Sequence, residues 1–273
     1  MINKPIGLQY LNIKNNRISL RANARILNEN YKQGICLNTI DQVNDILKKN
    51  GLELHQDFMK ESDLSLAHVK DDVEVSIDNL ISELSMIESN KYFKVQRDNS
   101  ITFENRNKWD NMNAIFYGKF LEMSKINKPK YKGLNINTDE FIDVTRMETR
   151  YNDWRTVKKF LGTRNMMEIL EQVNVNYLTL INILKGHPME TPKVDISDFK
   201  TLSELKYYAF ISFLNEQCNG DYTAIQREIT QRLGENTKAS YQMKKIREML
   251  PLVQNPEGRK LDSIMKLREE IKE

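Results

Sequence analysis

LSLAHVKDDVEVS, residues 64–76, decides the fold. Read at a period of two, Leu66, His68, Lys70, Asp72, Glu74 and Ser76 share one face of a strand. Ala67, Val69, Asp71, Val73 and Val75 share the other, and that mostly apolar set predicts the face turned to a core. IDNLISELSMIES, residues 77–89, follows at the helical period, with Ile77, Leu80, Ile81, Leu84 and Ile87 forming one stripe. A strand with one wet face followed by an amphipathic helix predicts an antiparallel sheet with flanking helices, the α+β class.

The neighbouring segments extend that pattern in both directions. NRISLRA (16–22) alternates Ile18 and Leu20 with polar residues and predicts a strand; ANARILNENY (22–31) continues with a helix-like pattern. NTIDQVNDILKKNG (38–51) predicts a helix with Ile40, Val43, Ile46 and Leu47 on one face, capped by Asn38 or Thr39 and closed at Gly51. KYFKVQ (91–96) and ITFEN (101–105) flank the turn composition RDNS and predict a hairpin. NAIFYGKF (113–120) and FIDVTRMETRY (141–151) are further strand candidates, the second with Ile142, Val144, Arg146 and Glu148 alternating. From Trp154 onward helical periodicity replaces strand signals. The expected organisation is an α+β domain over residues 1–160 and an all-helical C-terminal region over 161–273. HPMETPKVDISDF (187–199) is the best linker, because Pro188 and Pro192 break any helix.

Composition narrows the classes. With 40% hydrophobic residues, 29% charged residues, 10 Gly and 6 Pro, the chain is neither collagen-like, low-complexity nor disordered. Cys36 and Cys218 form no CxxC pair, so no disulfide framework is expected, and a reducing cytoplasm is the simplest compartment. No apolar run approaches the ~20 residues that span a bilayer, so no membrane partner is expected. The formal charge of +3 says little about partners, but its distribution does. Six bases against one acid fall in the first 33 residues, and Lys125, Lys128, Lys130 and Lys132 crowd a loop marked by Pro129 and Gly133.

Metal-ligand spacings, the P-loop, GxSxG and GxGxxG are absent from the sequence. The remaining candidates are an acid-bearing strand (Asp71, Asp72, Glu74), a second strand with Tyr117 and Lys119, and a third with Arg146 and Glu148. A tyrosine phenolate can attack a DNA phosphodiester and retain the 5′-phosphate as a covalent phosphotyrosine. The phenol, with its ordinary pKa near 10, needs a neighbouring cation such as Lys119 to favour ionisation. Carboxylates can hold a divalent cation against the scissile phosphate, and an arginine can clamp its oxygens. Tyrosines in strands more often pack than react, and a Y-x-K triplet arises often by chance.

RISLRANARILNENYKQGICLNTIDQVNDI, DFMKESDLSLAHVKDDVEVSID, NAIFYGKFLEM and DVTRMETRYNDWRTVKKFLG, in that order over roughly residues 15–185, resemble successive blocks of phage and plasmid rolling-circle replication initiators. The closest likeness is to the filamentous-phage gene II/X type, related to the plasmid Rep_trans initiators. The resemblance implies a D-V-x-x-D strand, a Y-x-K-x-x-E block and an R-x-E-x-[RK] strand. These fall on Asp72 and Val73, on Tyr117, Lys119 and Glu122, and on Arg146, Glu148 and Arg150. Ser76 stands where the second aspartate of the family would fall, and Glu74 is the acid on the same face that can replace it. The resemblance also implies an extra strand before the block that begins near Gly7.

The function implied by the resemblance is that of an origin-nicking endonuclease of a phage or plasmid, acting in a bacterial host cytoplasm on single-stranded or extruded DNA with host replication factors. Tyr117 is the expected nucleophile, supported by Lys119, Arg146 and Glu148. Asp72, with Glu74 or Asp71, is the expected ligand set for Mg²⁺ or Mn²⁺. The 125–132 lysines would track the DNA backbone. A candidate helix-turn-helix over 221–250 would present Lys244, Lys245 and Arg247 to a groove, although an ordinary helical hairpin fits that segment as well. His68, beside Lys70, reads as a surface group rather than a ligand. Two other classes stand beside the nickase: a DNA-binding protein of the same fold that does not cut, and a helical interaction protein with no nucleic-acid role.

Overall fold

The computed structural model describes residues 4–15, 17–53, 58–124, 133–187, 189–191, 193–218, 220, 222–233, 245–246, 248–250, 252–254 and 259–272. The chain divides into two compact units, Met1–Lys185 with Lys266–Glu273, and Gly186–Met265. The expected boundary at residue 160 falls inside the first unit. The linker expected at 187–199 begins at the division.

The first unit opens with a hairpin, β1 (Leu8–Lys14) and β2 (Arg17–Ala22), then a 3-10 segment (Ala24–Gln33) and α1 (Ile40–Lys49). Leu8, Ile26, Leu27, Val43 and Leu47 close a small core here, with Ile18 and Leu20 of β2 packed against it. Gly7 has φ +96°, and a Cβ there would run into the backbone of Ile26, so only glycine lets β1 start against the 3-10 segment. α1 ends at Asn50 and Gly51 behind Lys48 and Lys49, as the sequence predicts.

After the short α2 (Phe58–Glu61) come β3 (Ala67–Val73), α3 (Ile77–Ser85), β4 (Tyr92–Arg97), β5 (Ser100–Asn105), β6 (Met112–Gly118), α4 (Lys119–Ser124) and β7 (Thr145–Tyr151). The strands form one antiparallel sheet in the order β3-β7-β6-β5-β4. One face carries Ile101, Phe103, Ala114, Phe116 and Met147, all fully buried. α3 packs on it at β4, β5 and β6, and α7 (Val175–Leu184) at β3 and β7. α5 (Trp154–Leu161) and α6 (Met166–Leu170) lie between β7 and α7 in sequence. Asp153 caps α5 by accepting from Arg155 N and Thr156 N.

Three strand boundaries differ from the sequence expectation. β3 ends at Val73, and Ser76 is the residue before α3. β6 ends at Gly118, so Lys119 opens a helix instead of continuing the Tyr117 face. β7 starts at Thr145: Ile142 is exposed and Asp143 has φ +60°, so the alternation through 142–144 belongs to a loop.

The second unit holds β8 (Glu190–Thr191) paired with β9 (Arg259–Lys260), together with α8 (Leu202–Gln217) and α9 (Tyr222–Leu233). Thr201 and Glu204 form a capping box at the start of α8. Ile211, Leu214, Ile225, Ile229, Ile246 and Leu250 make its core. α10 (Asp262–Glu270) follows β9. The architecture is α+β with C-terminal helices. Among the described residues no helix is long and apolar enough to cross a membrane.

Candidate functional site

The sheet face opposite the core is polar, and the strand register arranges it in rows. Asp72, Arg146, Tyr117 and Ser100 stand side by side on β3, β7, β6 and β5. The next row is Lys70, Glu148, Ile115 and Thr102, and the one after it is His68, Arg150, Asn113 and Glu104. Alternation puts all twelve on one side, because a strand turns every second residue to the same face.

The central groups are tied to one another. Arg146, buried, gives Nε and Nη2 to the two oxygens of Asp72, a bidentate pair across β3 and β7. Tyr117 donates its hydroxyl to Glu148 Oε2 at 3.0 Å. The other carboxylate oxygen, Oε1, lies 3.1 Å from His68 Nδ1 and accepts from Arg150 Nε at 2.8 Å. Glu148 is only 2% exposed. Burial alone would raise its pKa, but the bonds from His68 and Arg150 and the charge of Lys70 outweigh it and hold the carboxyl well below the usual range. Tyr117 is driven the opposite way. Burial and the Glu148 charge push its phenol well above the ordinary tyrosine value, and the Arg146 charge only partly opposes them.

Lys119, the expected activator of Tyr117, points elsewhere. It is 1% exposed and donates to the Tyr31 hydroxyl and to Glu122 Oε2, each at 2.6 Å. Tyr31, on the 3-10 segment, also accepts from Arg146 Nη1 at 3.4 Å, and its ring lies under both cations. Two cations therefore face the Tyr31 oxygen, while a carboxylate faces the Tyr117 oxygen.

The three acids expected to share a metal are separated. Asp71 and Asp72 are consecutive on a regular strand and lie on opposite faces. Asp71 accepts from the buried Asn176 of α7 at 2.9 Å, and burial raises its pKa against that bond. Asp72 is occupied by Arg146. Glu74, past the end of β3, is exposed, and its backbone is clasped by α10: Lys266 Nζ donates to its carbonyl at 2.6 Å and its N–H donates to Glu270 Oε2 at 2.9 Å. Among the described residues no cluster of three or more His, Cys, Asp or Glu side chains could hold a metal ion. In this arrangement the donors do not fit a divalent cation.

Lys125, Lys128, Lys130, Lys132, Lys244 and Arg247 lie outside the described residues, as does much of the expected helix-turn-helix. Lys245 is exposed and sits 5.6 Å from the centre of the Tyr207 ring. Two further residues belong to the polar network although the sequence does not mark them as functional. His68 is signalled only by its place in the Asp72 alternation. Tyr31 carries no local signal, because 88 residues separate it from Lys119. Comparison with protein-family models, curated proteins and solved structures gives no match to this chain.

Proposed function

We propose that the chain is a replication-initiator-like protein of a phage or plasmid whose polar sheet face meets the backbone of single-stranded or extruded origin DNA. The observation that carries this reading is the convergence of Tyr117, Arg146, Glu148 and Asp72 on one face of three adjacent strands. A phenol, a guanidinium and carboxylates are the groups that strand transfer to tyrosine requires. In the nicking form of the proposal, the Tyr117 oxygen attacks a phosphodiester phosphorus as the P–O3′ bond breaks, the phenol proton passes by way of Glu148 to the leaving 3′-oxygen, and Arg146 turns from Asp72 to the phosphate. Mg²⁺ or Mn²⁺ would belong to this form only once that turn has freed Asp72, since Asp71 lies on the other face and Glu74 lies past the end of β3; host replication factors would act downstream.

A second reading keeps the DNA and drops the cut. The neutral Tyr117 phenol and the closed Arg146–Asp72 pair favour it, since neither group is free for chemistry as it stands. One experiment separates the two. Protein is mixed with end-labelled single strands of varied sequence, with and without Mn²⁺, and denatured samples are examined for a covalent adduct. Nicking predicts an adduct that needs Mn²⁺ and disappears in Tyr117→Phe. Salt-dependent binding with no adduct under any condition removes the nickase and leaves the binding protein. Failure to bind any form of DNA at low salt would favour the helical interaction protein over both.

A further inference from the structure

One end of the sheet carries aromatic rings that the core does not use. In the turn between β5 and β6, Trp109 is 84% exposed, far beyond the usual fate of the largest apolar side chain. Trp154, at the start of α5, is 49% exposed. The two segments adjoin, since Asn152 N donates to Asn111 O at 2.9 Å. Each exposed ring here has a cation close by or stacked on it. Arg155 and Arg164 lie 5.7 and 5.5 Å from the Trp154 ring, and Arg106 lies 4.3 Å from the half-exposed Phe93 ring on β4. Lys108 and Arg155 line a cleft of about 520 Å³ beside Trp109. Three acids line the cleft as well: Asp110 is paired with Lys159, Asp153 caps α5, and Glu104 is exposed on β5.

The cleft also opens onto the polar face. Asn113 and Glu104 line it and belong to the same side of the sheet as Tyr117. The Asn113 Oδ1 is buried and accepts no hydrogen bond among the described residues. A step of four residues along β6 takes Asn113 to Tyr117, about 13 Å at strand rise.

We propose that Trp109, Trp154 and Phe93, with Arg106, Lys108 and Arg155, form a stacking platform that holds single-stranded DNA running along the polar face toward Tyr117. Flat π-surfaces alternating with guanidinium and ammonium groups are the chemistry that takes unpaired bases with little sequence preference. A duplex keeps its base faces stacked inside and offers the rings nothing. The platform rests on the DNA reading of the polar face but not on cutting there.

Intrinsic fluorescence tests it directly, because the chain has two tryptophans and both lie in this patch. Full-length Tyr117→Phe protein, which cannot form the proposed adduct, is titrated with oligo(dT), with an abasic strand of equal length and with a duplex. The expected result is quenching by oligo(dT) and little by the other two. Trp109→Ala, at an exposed position that folding does not need, should weaken oligo(dT) binding roughly five- to a hundredfold, read through Trp154. Arg155→Ala should weaken it as well. Equal quenching by the abasic strand, preference for the duplex, or unchanged affinity in Trp109→Ala would each overturn the platform. An adduct formed by wild type with silent tryptophans would overturn the platform and keep the nickase; quenching without an adduct would do the reverse.

Discussion

Tyr117 and Glu148 bond on a diagonal. In the register of β6 and β7, Tyr117 stands opposite Arg146 and Glu148 stands opposite Ile115, yet the phenol reaches past its own partner to the carboxylate one row on. It can do so because Arg146 is turned the other way, toward Asp72 on β3. The two pairings depend on each other, and a change to either should be felt by both.

Glu148→Gln should destabilise the protein by about 3 kcal/mol at pH 7, because it breaks a buried carboxylate from His68, Arg150 and Tyr117. The folded pKa of Glu148 lies below its unfolded value, so its contribution is full above the ordinary carboxylate range and is lost as pH falls toward the depressed value. Urea unfolding at pH 7 and near pH 3 should show the gap between wild type and variant narrowing in acid. A gap that widens there would contradict the assignment.

Asp71→Asn should stabilise. The raised pKa of Asp71 means that its charged form costs folding energy, a cost that sets in as pH rises past the unfolded value and persists at neutrality. An asparagine keeps the acceptor for Asn176 Nδ2 and adds a donor for Asn176 Oδ1, which is buried without a partner among the described residues. A gain of about 0.5–1.5 kcal/mol is expected, a rise of a few degrees in Tm at pH 7 that fades below about pH 4. A lower Tm at pH 7 would show that the ionised form is the one the fold prefers.

Tyr31→Phe should cost about 1.5–3 kcal/mol, because the phenol oxygen accepts from two charged donors in a buried place. Asp72→Asn should cost more, about 3 kcal/mol or above, because it leaves the buried Arg146 without its counter-charge. Chemical denaturation of the two single variants and the double variant gives their coupling. Strict additivity would mean that the Arg146 bridge between Tyr31 and Asp72 carries no energy.

Tyr117 should stay protonated throughout the folded pH range. An ultraviolet difference titration of wild type against Tyr117→Phe should show no phenolate from Tyr117 until the chain unfolds. A phenolate signal near the ordinary tyrosine value would mean that Glu148 is not its partner in solution.

Much of this arrangement is legible in the sequence. The alternation in 67–73 marks the two faces of β3, the RDNS turn marks the β4–β5 hairpin, and the two-residue spacing of Arg146 and Glu148 puts them on one face, whereas the register that brings Tyr117 of β6 beside them is visible only in the structure. The misplacements cluster at strand ends. A period of two does not say where a strand stops, so it carries Lys119, Glu74 and Ser76 onto faces that end one to three residues earlier. Chemistry groups Asp71 with Asp72, although alternation already places Asp71 on the core side. Tyr31 is out of reach because only tertiary packing brings the 3-10 segment to Lys119 and Arg146.

Residues 266–273 belong to the first unit, with Lys266 and Glu270 clasping the Glu74 backbone just beyond β3, and Leu267 and Ile271 buried. The unit that carries the polar face is therefore discontinuous in sequence, with about eighty residues inserted between its parts. On the ribosome it cannot complete its native contacts until translation has delivered residues 266–273, whereas the inserted unit can close first. A free chain ended after residue 265 should accordingly hold a folded inner unit and an unfinished outer one.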